Sequence, residues 1–164
     1  MGEINSRFKS LPNWNGTCGI CGRNESQTKF DRATAGLCNT CSHEEWATKN
    51  PIQSLATKMR ARAKAKSRQK SWPELDFSAA WLCEKLRKGN CEATGIPFVI
   101  ATKQAASKHA RNPWIPSLDR IDSKKPYIKS NVQIVVYMYN ACKGQFDHED
   151  VVRFCQKVSE QKNG

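Results

Sequence analysis

The chain has 164 residues with 27 Lys and Arg against 15 Asp and Glu, a formal charge of +12, which exceeds what solubility requires and favours a polyanionic partner through counterion release. The length accommodates one ordinary domain, or a compact domain beside a small module stapled by metal, and not two full cores. No apolar run approaches the ~20 residues of a membrane-spanning helix, and the N-terminal stretch carries no apolar segment of the secretory type, so a cytoplasmic chain without a membrane partner is expected.

The segment up to about Glu45 is loop-rich and holds the pairs CGIC and CNTC. Four thiolates from Cys18, Cys21, Cys38 and Cys41 can close a tetrahedron around Zn2+, with Gly19 or Gly22 easing the turn of the first pair. Such a set leaves no open coordination position, so the zinc is structural, and paired cysteines of this kind indicate a reducing compartment. His43 reads as a surface residue. Cys83, Cys91, Cys142 and Cys155 have no paired spacing and read as small buried apolar side chains. Residues 1–48 are therefore expected to form a zinc-ribbon-like module.

Residues 49–72 follow as a basic helix. Ile52, Leu55, Met59 and Ala63 recur at intervals of three and four, with Pro51 suited to the first turn. The remainder is cationic: Arg60, Arg62, Lys64, Lys66 and Arg68 alternate with small residues and carry no interleaved acid to offset their repulsion, which favours contact with DNA phosphates over a solvated face.

Residues 73–164 are expected to make the third part, giving an α+β chain overall. A helix over Pro73–Lys88 would turn Phe77, Ala80, Trp81 and Leu86 inward and stop at Gly89. CEATGIPF reads as a turn into a short apolar segment, and residues 101–113 as a basic loop. His109 in that loop has two readings: a surface residue among Lys108 and Arg111, or a base reaching the reacting centre. The last third predicts a strand over Ser117–Ile121, a turn with Lys124, Lys125 and Pro126, a strand over Asn131–Val136, a helix over Tyr137–Lys143 and a final helix over His148–Val158. His148 reads as a cap or surface residue.

Asp119 on the first of these strands and Asn140 on the helix supply hard oxygen ligands. One carboxylate with one amide oxygen can hold a single divalent cation, Mg2+ or Mn2+, and leave positions for water and a phosphodiester.

The run SLDRIDSKKPYIKSNVQIVVYMYNACKG resembles the ββα-metal hairpin of HNH endonucleases from phages and mobile elements, with a D-R-x-D, Y, N-V-x, N-x-x-K pattern. It is also similar to a rare-cutting restriction endonuclease of that superfamily that pairs the hairpin with cysteine-bound zinc. The resemblance is specific over residues 91–146 and looser over the zinc module and basic helix. It implies that Asp119 and Asn140 are the metal ligands, and it places Arg120 where many relatives carry a general-base histidine. Arginine stays protonated, so Arg120 would hold the phosphate. Tyr127 aligns with a tyrosine implicated in activating or replacing the nucleophile, and Lys143 would meet the DNA backbone. Asp122 reads as a partner of Arg120 or as a cap, and Asn131 as a residue that fixes the turn. The chain departs from the pattern at Pro126, where relatives have glycine, and at Thr94 and Tyr139, where the restriction enzyme has further zinc cysteines; one zinc is expected.

These readings predict a metal-dependent endonuclease acting on double-stranded DNA, nicking as a monomer or breaking both strands as a homodimer. The rivals are a non-catalytic zinc-containing DNA-binding regulator and a protein directed at RNA.

Overall fold

In the computed structural model, residues 16–24, 26–30, 36–100 and 112–162 are described. The architecture is α+β and divides into two compact units, Met1–Asn50 and Pro51–Gly164. In chain order it runs through α1 (Asn39–Lys49), α2 (Pro51–Gln69), α3 (Ala79–Arg87), β1 (Pro116–Arg120), a 3-10 turn (Lys129–Asn131), β2 (Val132–Val136), α4 (Tyr137–Lys143) and α5 (His148–Lys162). No helix among the described residues is long and apolar enough to cross a membrane.

In the first unit, Cys18, Cys38 and Cys41 form the buried centre, with Phe30 and Leu37 packed against them. The second cysteine pair is carried by helix: Cys38 is the N-cap of α1 and Cys41 lies in its first turn.

In the second unit, α2 begins at Pro51 and buries Ala56, Met59 and Ala63, with Ile52 and Leu55 partly covered. It packs on α3, and is therefore one body with the residues that follow rather than a separate arm. The latter helix is shorter than Pro73–Lys88, because Ser78 caps it by accepting a bond from the Trp81 amide at 3.1 Å and Asp76 accepts from the Lys129 amide at 2.8 Å, tying the preceding loop to the hairpin. Its inward residues are Leu82, Cys83 and Leu86, with Phe77 buried just ahead of it. Ala80 is exposed instead.

β1 and β2 are antiparallel, with Asp119 opposite Gln133 and Leu118 opposite Ile134. Alternation sends Leu118, Val132 and Ile134 toward the core shared with α2 and α3. On the chain beyond, Val135, Val136, Tyr139 and Val151 close a second cluster with Cys91. Cys142 and Cys155, expected inside, are exposed: the buried residue of α4's last turn is Lys143, and that of α5 is Val151.

Candidate functional site

The four cysteine sulfurs of the first unit lie within 4.8 Å of one another. A tetrahedron of thiolates about 2.3 Å from zinc has sulfur-sulfur edges of about 3.8 Å, and Cys21 Sγ stands 3.8 Å from Cys38 Sγ. None of the four is in a disulfide. The thiols differ sharply in charge preference. The amides of Cys21 and Cys38 donate toward Cys18 and lower its pKa to about 6, the Cys38 amide lying 3.3 Å from Cys18 Sγ. The Cys41 amide, in the first turn of α1, likewise lowers Cys38. Burial and the neighbouring thiols push Cys41 up to about 12. A cation at the centre of the cluster would relieve that repulsion, so the donor set fits a bound metal ion. His43 is exposed.

The hairpin and α4 assemble a second polar centre. Ser117 and Asp119 share one face of β1 by strand alternation, and α4 covers that face with two residues one turn apart. Asn140 donates through Nδ2 to Ser117 Oγ at 2.8 Å and to the Leu118 carbonyl at 3.2 Å. A carbonyl can only accept, so these bonds orient the amide and leave Asn140 Oδ1 with no hydrogen bond among the described residues. Lys143 is wholly buried; its Nζ donates to the Arg120 carbonyl at 2.8 Å and stands 3.5 Å from the Asp119 carboxylate. A position at the DNA backbone was expected for Lys143, yet its ammonium is turned inward.

Asp119 is 5% exposed. Its one short bond comes from Gln133 Nε2, at 2.9 Å across the ladder. An ionised carboxylate accepts about four such bonds, so Asp119 is short of partners on the strand face that α4 covers, and a carboxylate and an amide oxygen are the donor types that suit a hard divalent cation. Sequence reasoning overlooked Gln133 and Ser117. Gln133 is the single polar residue of VQIVV, which was the available signal.

Arg120 faces the opposite way. Its guanidinium lies over the Trp72 ring at 4.7 Å and the Tyr127 ring at 5.1 Å, and Nη1 donates to the Lys125 carbonyl at 3.0 Å. Tyr127 is buried in the core cluster. Burial raises its pKa, the Arg120 charge opposes that shift, and the Asp119 charge adds to it; the phenol is therefore protonated at neutral pH. The expected residues thus fall into two groups, Asp119 with Asn140 and Lys143 under α4, and Arg120 with Tyr127 on the other face.

The turn between the strands is closed by Asn131, whose side chain accepts from the Asp122 amide at 2.9 Å and donates to the carbonyls of Asp122 and Pro126, both at 3.0 Å. Asp122 accepts from the Lys124 amide and pairs with Lys125 Nζ at 3.1 Å, rather than with Arg120. His148 is exposed and its Nδ1 lies 2.9 Å from the Tyr139 hydroxyl. His109 lies outside the described residues.

No model of a known protein family matches the chain, and no curated protein matches it. Among solved structures, the chain is similar to the rare-cutting HNH restriction endonuclease PacI, which is described for a mechanism of DNA perturbation. The two are 16% identical, with a TM-score of 0.37 over 88% of this chain and 94% of that one. At that level of likeness the function has to be argued from the chain's own residues.

Proposed function

We propose that this chain is a metal-dependent DNA endonuclease that hydrolyses phosphodiester bonds, with a structural zinc in its N-terminal unit. The observation that carries the reading is the buried Asp119 carboxylate, left with one short hydrogen bond among the described residues, on the strand face covered by the helix that carries Asn140. Asp119 and Asn140 would hold one Mg2+ or Mn2+. When bound, such an ion polarises a phosphoryl oxygen and eases deprotonation of water.

The protein's own groups prepare that site. Gln133 and Lys143 orient the carboxylate from two sides, and the Lys143 charge offsets its burial. Asn131 holds the turn, so β1 and β2 keep the register on which Asp119 depends. Arg120, held against the Trp72 and Tyr127 rings, contributes positive potential at the end of β1. Tyr127, buried and protonated at neutral pH, packs against the Arg120 guanidinium and is not the base in this arrangement. Cys18, Cys21, Cys38 and Cys41 would hold the zinc, and the cationic residues of α2 would attract duplex DNA. One such site cuts one strand, so a monomer nicks and a symmetric pair breaks both strands.

Incubation with supercoiled plasmid and Mg2+ or Mn2+ tests the reading. The wild type should relax or linearise the plasmid. Asp119→Ala and Asn140→Ala should each slow this by at least about a hundredfold, the usual loss when one electrostatic stabiliser of a transition state is removed, with duplex binding unchanged. A band shift without strand breaks in the wild type would replace the nuclease with a DNA-binding regulator.

A further inference from the structure

The basic helix α2 does not present the same chemistry on all sides. Arg60, Lys64 and Arg68 recur every fourth residue and so form one stripe about 12 Å long at the helical rise. They line a shallow cleft, open to solvent, whose other wall includes Trp72 and Glu74. Arg62 and Lys66 are exposed and lie about 160–200° around the helix from that stripe.

Three observations make the cleft more than a charged surface. Ser67, 4% exposed, lines it, and its hydroxyl is the one buried side-chain polar atom among the described residues that has no hydrogen-bond partner. A helical serine ordinarily returns its hydroxyl to the carbonyl one turn back, and this one does not. Against three cations the cleft holds one carboxylate, Glu74, and neither Lys64 nor Arg68 pairs with an acid among the described residues. Arg60 is anchored through Nε, which donates to the Phe77 carbonyl at 3.0 Å, leaving its two Nη groups to reach into the cleft.

The backbone builds the far wall. Ser71 takes a left-handed conformation at φ 52°, and the Trp72 amide returns to the Ser67 carbonyl at 2.9 Å. The chain thereby doubles back, placing Trp72 beside the end of α2. The same indole carries the Arg120 guanidinium, so the cleft and the end of β1 share one side chain.

We propose that this cleft is a phosphate-binding site that takes one phosphate of the nucleic-acid substrate between Lys64, Arg68 and the Ser67 hydroxyl. Trp72 sets that phosphate's position relative to Arg120. The proposal rests on the nucleic-acid reading above and not on cleavage. Either a bridging phosphodiester or a terminal phosphate offers the required chemistry.

The test is fluorescence anisotropy of a labelled duplex with the full chain, without added Mg2+ or Mn2+, across a range of salt. The pair Lys64→Gln with Arg68→Gln is set against Arg62→Gln with Lys66→Gln, which removes the same charge from the far side. The cleft pair should lose about tenfold or more in affinity, uniformly across sequences, and its salt slope should flatten by about 1 for the one phosphate lost. The far-side pair, which adds to the long-range attraction but touches no phosphate in the cleft, should lose some affinity, less than about threefold. Ser67→Ala, which leaves the charge untouched, should lose about threefold with the slope unchanged. Duplexes with 5′-phosphate and 5′-hydroxyl ends separate the sources. A preference for the phosphorylated end that vanishes in the cleft pair identifies a terminal phosphate, and no preference identifies a bridging one. Equal losses in the two charge pairs, or wild-type affinity in Ser67→Ala, would overturn the site. Plasmid cutting alongside equal losses would remove the cleft and keep the nuclease, whereas cleft-dependent binding without cutting would do the reverse.

Discussion

Within Met1–Asn50 the buried described side chains are three thiols, with Phe30 and Leu37 beside them, whereas Pro51–Gly164 buries apolar residues of α2, α3 and β2 together with Phe77 and Tyr127. Both units place charge-bearing groups inside, but they meet the cost differently. In the first, thiols with opposed charge preferences face one another and call for an external cation. In the second, Asp119 has Lys143 within 3.5 Å, a built-in cation that offsets the burial of its charge and leaves the carboxylate underbonded.

Removing metal should separate the two most strongly. Zinc in small cysteine modules contributes on the order of 10–16 kcal/mol of apparent folding free energy, so a strong chelator, or Cys38→Ser, should collapse the amide dispersion of residues 16–24 and 36–50 in an NMR spectrum. The methyl resonances of Leu82 and Ile134 should stay put; their loss as well would mean that the second unit also depends on the metal. The next effect is at the internal pair. Lys143→Met leaves Asp119 buried without its cation and the Arg120 carbonyl without its donor, and should cost about 3–5 kcal/mol in a denaturant titration. Added Mn2+ should return part of that loss by binding the native state. The smallest effect is at the start of α3, where Ser78→Ala removes the cap on the Trp81 amide and should cost about 1 kcal/mol.

Much of this was legible beforehand. α2, β1, β2 and α4 follow from Pro51, from β-branched alternation and from apolar spacing, and their bounds agree with the sequence reading within three residues, α2 ending at Gln69 rather than at residue 72. The four-cysteine cluster was carried by its spacing. α1 was harder, because the CNTC pair draws attention to a turn while Asn39–Lys49 buries one residue, Cys41, and shows little amphipathic pattern. α3 is shorter than the apolar spacing suggests because Ser78, a local cap, starts it and Asp76 ahead of that cap is held by Lys129, a contact across 53 residues that no local pattern reveals. Lys143 was misplaced because lysine is almost always exposed, and nothing local reveals a carbonyl and a carboxylate waiting inside. The separation of Asp119 from Arg120 was available from strand alternation alone, and the family pattern obscured it by presenting the two as one motif.

The central claim is that Asp119 and Asn140 share one divalent cation. Anomalous diffraction from a crystal soaked in Mn2+ tests it directly. The account predicts a peak about 2.0–2.3 Å from an Asp119 carboxylate oxygen and from Asn140 Oδ1, the range for hard oxygen ligands, absent in Asp119→Ala. A peak bound elsewhere, or an Asp119 that keeps only Gln133 and Lys143 at saturating Mn2+, would contradict it.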